Sequence, residues 1–187
     1  MMMTRAAMTF VFAVLVSLAT LFVSGNACNN VPTMGWVDAC HKACDGQPWF
    51  DTCTDTLKNA PESAEVTVFT IIAARLAKSK YEDTMAAIDH ALAGGELPAG
   101  EKRAAVESCK AKYAQARGSM VSVADQLFAC DLSRAKQELA DAKAAVEACK
   151  NGVWWASQGS SPLFPMVSAN LDLTMVASDV GALVVGK

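Results

Sequence analysis

From Val106 onward, apolar side chains recur in steps of three and four: Val106, Cys109, Tyr113, Ala116, Met120, Val123 and Leu127. After a break at Cys130-Asp131 the stepping resumes at Leu132, Ala135, Leu139, Ala142, Val146 and Cys149. That spacing lines up one face of an α-helix and leaves the charged residues outside, as at the seam of a helical bundle. Asp131 suits the cap of the second helix, and Asn151-Gly152 predicts its end. Upstream, Ser63 is the expected N-cap of a helix whose face carries Phe69, Ile72 and Leu76, then Tyr81, Met85, Ile88 and Leu92; Gly94-Gly95 and Pro98 close it. Downstream, a loop of about fifteen residues holds Trp154, Trp155, Leu163 and Phe164 among Gly, Ser and Pro. A last helix, from about Ser168 to Val185, shows the stripe Leu173, Val176, Val180 and Leu183.

Residues 28–62 read differently, with cysteines interleaved with Pro32, Gly35, Gly46, Pro48 and Pro61. Two short helices fit there, over roughly 34–45 and 48–58, joined by the turn Asp45-Gly46-Gln47-Pro48. No strand alternation is convincing. The predicted fold class is all-α: an antiparallel up-down four-helix bundle over about 63–185, preceded by a helical hairpin over about 34–60.

The first 27 residues belong to neither unit. Arg5 precedes an apolar run from Ala6 to Val23, and Ser24-Gly25-Asn26-Ala27 offers small residues for cleavage before Cys28. This predicts a secretory signal peptide over 1–27 and a mature domain over 28–187. No second long apolar run follows, so no membrane association is expected after its removal. The chain carries 16 basic and 19 acidic residues, a net charge of −3. Removal of 1–27 takes one Arg and leaves −4, with no basic cluster, which argues against a nucleic-acid partner.

All seven cysteines lie beyond the expected cleavage point. Secretion places them where disulfides persist. Cys44 and Cys53 flank the hairpin turn, so a bridge between them would staple it. Cys109 and Cys149 occupy inward seam positions at similar heights in an antiparallel pair, which fits the geometry of a bridge. Cys28 and Cys40 can pair, and Cys130, in a turn, is read as the free thiol. Cys40 and Cys44 with His41 lack the paired modules of a zinc site, so neither metal nor cofactor is expected. No catalytic residue is nominated either. The acids lie on outer helix faces, and no serine sits in a nucleophile elbow. Trp154, Trp155, Leu163 and Phe164 are read as a cap on the bundle core, with the hairpin aromatics Trp36, Trp49 and Phe50 an equal candidate contact surface.

Taken together, these residues resemble the plant invertase and pectin methylesterase inhibitor family. The resemblance rests on Cys44 and Cys53 enclosing eight residues that include Pro48 and Trp49, on Ala104-Ala105-Val106-Glu107-Ser108-Cys109 followed by Tyr113, on Cys149 about forty residues later, and on Ser161-Pro162-Leu163 before the last helix. It spans roughly residues 38–185. It implies a four-helix bundle with an N-terminal hairpin, and disulfides joining first to second and third to fourth cysteine of the pattern, here Cys44–Cys53 and Cys109–Cys149. It also implies a secreted inhibitor of the apoplast, the cell wall or the vacuole. One branch of the family blocks acid invertase and the other blocks pectin methylesterase, both by noncovalent occlusion of a carbohydrate-binding cleft. Ser161-Pro162-Leu163, and Ala148 in place of a Thr before Cys149, lean toward invertase, with pectin methylesterase the alternative. The competing reading is a secreted helical ligand-binding or structural protein. Lipid-transfer and albumin scaffolds depend on adjacent Cys-Cys pairs, which this chain lacks.

Overall fold

The computed structural model describes residues 28–94, 101–157 and 160–185. The expected signal peptide and the residues between the first two long helices, including Gly95 and Pro98, lie outside the described residues. The chain opens with β1 (Thr33–Gly35), then α1 (Trp36–Cys44), α2 (Phe50–Leu57) and β2 (Ser63–Glu65). Four long helices follow: α3 (Val66–Ala93), α4 (Glu101–Phe128), α5 (Leu132–Ser157) and α6 (Phe164–Ala182), with one 3-10 turn at Leu183–Val185. Each long helix packs on its neighbour in sequence, and α6 returns to α3, closing the ring. The fold is the all-α, up-down four-helix bundle that the periodicity predicts.

The seams read from α4 and α5 are the core. Every residue of the first series from Val106 to Leu127 is buried, and every residue of the second from Ala135 to Cys149. Leu132 packs against them at the edge. Helix α3 keeps most of its expected face: Phe69, Tyr81 and Ile88 are buried, and Ile72, Met85 and Leu92 pack against the core. Leu76 departs from it, at 36% exposed, and the small residues Thr70, Ala73, Ala77 and Thr84, with Val66, are buried beside that face. Small residues on this line let α3 lie close to its neighbours, and the larger Leu76 falls outside the line.

Three boundaries also differ. Ser63 does not cap α3. It is taken into β2, which pairs antiparallel with β1 in the register Thr33↔Glu65, Met34↔Ala64 and Gly35↔Ser63. Glu65 is the N-cap residue, and the first helical N–H, of Val66, donates to the Pro32 carbonyl at 3.0 Å. Helix α5 runs through Asn151-Gly152 to Ser157, because Val153 extends the seam by one more step and is buried. Burial of that side chain outweighs the roughly 1 kcal/mol that glycine costs inside a helix. Trp154 and Trp155 are therefore helical. Helix α6 starts at Phe164, four residues before the expected Ser168, because Pro165 fits a first helical turn.

Asp131 does cap α5, accepting the Arg134 N–H at 3.0 Å on its side chain. The preceding helix ends in a Schellman arrangement. The Asp131 N–H donates to the Gln126 carbonyl and the Cys130 N–H to that of Leu127, with Cys130 at φ 57°. Glycine usually takes that left-handed position. Cysteine occupies it here because its sulfur is bonded to Cys28.

Candidate functional site

Three disulfides join six of the seven described cysteines: Cys28–Cys130, Cys40–Cys53 and Cys109–Cys149. The second and the first depart from the sequence reading. Cys53 is bonded to Cys40, with Cα atoms 5.7 Å apart, and Cys44 is a buried thiol. The register of the hairpin explains the choice. The tight turn runs through Gly46 at φ 71°, where glycine tolerates the left-handed backbone, and is closed by Gln47 N–H to the Cys44 carbonyl and Phe50 N–H to that of Gln47. In an antiparallel helical pair, one turn forward on α1 matches one turn back on α2. Cys40 facing Cys53 thus sets Cys44 beside Trp49, and joining Cys44 to Cys53 would need a slip of a full turn. Cys130 is not a free thiol, and Cys28 bonds to it instead of to Cys40. The bridge ties the N-terminal segment to the turn between α4 and α5, over a sequence separation of 102 residues.

Cys44 and Trp49 mark where the hairpin meets the bundle. The Trp49 indole N–H donates to Asp179 Oδ2 on α6 at 2.8 Å. Burial pushes the Cys44 thiol up to about 12; the Asp179 carboxylate adds to this and the Trp49 N–H opposes it. Burial likewise raises the Asp179 carboxyl, against the Trp49 hydrogen bond and Lys143. Cys44 is accordingly inert at neutral pH, since the thiolate is the reactive form.

A polar layer crosses the core one level below. Asn170 Nδ2 donates to Thr84 Oγ1 at 2.6 Å and to the Tyr113 hydroxyl at 3.1 Å. Thr174 and Tyr81 share a hydrogen bond of 2.6 Å, and the two tyrosine rings meet edge to face at 5.3 Å. Burial raises both phenols, Tyr113 to about 12. They remain neutral partners that fix the register of α3, α4 and α6, with no role as proton carriers at physiological pH. No sequence signal pointed to this layer, because its members lie 57 to 93 residues apart.

The aromatic groups separate into two kinds. Trp36, Trp49 and Phe50 pack against the core. So does Phe164, whose ring lies 5.1 Å from that of Trp154, while Leu163 is buried. Trp155 differs: on the last turn of α5 it is 80% exposed and so is not part of a core cap. Among the described residues, no group of three His, Cys, Asp or Glu side chains is placed to hold a metal ion. No helix among them is long and apolar enough to cross a membrane.

The arrangement is a rigid scaffold: four helices locked by a polar layer and by covalent staples at the hairpin, in the α4–α5 pair and at its turn. No curated protein matches this chain. The profile of the family described as plant invertase/pectin methylesterase inhibitor matches residues 38–177, from α1 through most of α6. That stretch contains the stapled hairpin and nearly all of the bundle, and this chain belongs to the plant invertase/pectin methylesterase inhibitor family.

Proposed function

We infer that this protein is a secreted inhibitor that blocks acid invertase by a reversible, noncovalent protein–protein contact. Family membership carries the inhibitory role in its general form: members inhibit an invertase or a pectin methylesterase and are extracellular. The choice of invertase rests on Ser161-Pro162-Leu163 at the entry to α6 and on Ala148 before Cys149. Pectin methylesterase is the alternative target.

The scaffold suits such a role. A binder that is already rigid loses little conformational entropy on association, so more of its contact energy appears as affinity. The disulfides and the absence of a membrane-crossing helix among the described residues fit an extracellular protein. Trp155 is the side chain best placed to anchor a partner, because tryptophan is enriched among the residues that dominate interface energies.

Complex formation separates the two targets. The oxidised protein, mixed with acid invertase and separately with pectin methylesterase, is passed over a sizing column. Co-elution with invertase alone supports the reading, co-elution with the esterase alone moves the protein to the other branch, and co-elution with neither overturns it for both.

A further inference from the structure

A groove of about 270 Å³ lies where the hairpin rests on the bundle. Thr52, Asp55 and Thr56 of α2 form one side, Lys80 of α3 another, and Asn170 and Leu173 of α6 the floor. Asn170 is only 3% exposed, yet half of its amide is uncommitted. Its nitrogen donates to Thr84, to Tyr113 and, at 3.4 Å, to the carbonyl of the groove-lining Lys80, whereas its oxygen accepts no hydrogen bond from the described residues and is not sealed from solvent. The groove is the open space that Asn170 lines. Thr52 and Thr56 stand one turn apart beside it, and neither hydroxyl is bonded to another described residue.

We propose that this groove binds one neutral sugar ring. The two formal charges at its rim are already matched, Asp55 by Lys58 at 3.1 Å and Lys80 by Asp83 at 3.2 Å. An anion would meet Asp55, and a cation would meet Lys80. The unmet demand is neutral: one amide oxygen that needs a donor, and two hydroxyls that donate and accept. Ring hydroxyls supply both functions, while the C–H face of a sugar rests on Leu173. The volume falls just below the roughly 300–1,000 Å³ of sites for drug-sized ligands, as expected for a single ring. A bound ring touches α2, α3 and α6 together and so fastens the hairpin to the bundle, which stabilises the folded state by mass action. The proposal stands apart from the inhibitory reading, and its test needs no target enzyme.

The test is an NMR titration of the oxidised full chain with glucose, fructose and sucrose, using glycine and inorganic phosphate as charged comparisons. The expected result is saturable shifts of the Asn170 side-chain amide and of Thr52 and Thr56, with a dissociation constant on the order of 1–10 mM. The double variant Thr52→Val/Thr56→Val, folded by its own spectrum, weakens binding about tenfold or more. If that variant fails to fold, the Asn170 amide shifts of the wild type decide alone. Absence of saturable shifts with every sugar overturns the proposal, as does undiminished binding in the double variant. Equal response to glycine or phosphate overturns the neutral-ligand assignment, and response to sucrose alone overturns the single-ring assignment.

Discussion

Replacing Cys40 and replacing Cys44 have very different consequences if the hairpin register is as described. The Cys40–Cys53 bridge closes a loop of 13 residues. The chain-entropy relation assigns such a loop about 3 kcal/mol of stabilisation, taken from the unfolded state. Cys44 contributes no crosslink. Its truncation to alanine removes one buried sulfur, costing about 1 kcal/mol by comparison with small core deletions. The decisive pair is therefore Cys40→Ala/Cys53→Ala, in which Cys44 has no partner to capture, against Cys44→Ala. In urea unfolding the double variant should lose about 3–4 kcal/mol and the single variant about 1 or less. For a domain of this size the double variant's midpoint should fall by roughly 6–16 °C, at about 2–4 °C per kcal/mol. Mass mapping of the unfolded, unreduced wild type should find one alkylated thiol, at Cys44. A Cys44→Ala loss as large as that of the double variant, or alkylation at Cys40 with Cys44 protected, would refute the register argument.

Further expectations follow from the same geometry. The Asp179 carboxyl is raised by burial, so its ionised form costs stability near neutral pH, and that cost disappears as pH falls through its raised value toward the ordinary aspartate range near 4. Asp179→Asn keeps an acceptor for the Trp49 N–H and removes the titration. Wild type should gain on the variant in urea midpoint between pH 7 and pH 4, and a constant gap would contradict this. Gly181→Ala sets a methyl against Leu139 Cδ1 of α5 and near Thr70 Cγ2 of α3. Overpacking of about 1–3 kcal/mol should exceed the roughly 1 kcal/mol gained in helix propensity, giving net destabilisation in thermal unfolding. Trp155→Ala should leave stability within about 0.5 kcal/mol. The same change should weaken binding to the target enzyme by about 2 kcal/mol, read by calorimetry, whereas an unchanged affinity would remove Trp155 as an anchor.

The bundle was readable wherever apolar residues recurred in unbroken steps of three and four. Helices α4 and α5 satisfy that condition, and their seam residues are buried except Leu132 at the edge. Helix α3 satisfies it only in part, because close approach there also uses Thr70, Ala73 and Ala77, while Leu76 is left outside. Periodicity weighs the bulky residues most heavily, so it found Phe69, Tyr81 and Ile88 but included Leu76 and passed over the small buried residues. Strands β1 and β2, three residues each, are too short to show alternation. The partner of Cys53 was hidden for a different reason. Cys40 and Cys44 lie on one face of α1, and only the contact of Trp49 with Asp179 on α6 shows which turn of α1 sits at which height. The groove floor depends on Asn170, whose partners Thr84 and Tyr113 lie on two other helices. Long-range polar pairing of that kind has no local signature.

The most direct test of the central claim is a titration of acid invertase activity with the oxidised protein at enzyme concentrations above the dissociation constant. A tightly bound noncovalent inhibitor should remove activity linearly to a stoichiometric end point, with activity returning on dissociation of the complex. Undiminished sucrose hydrolysis at several-fold molar excess, in a preparation whose three disulfides are verified, would contradict the account.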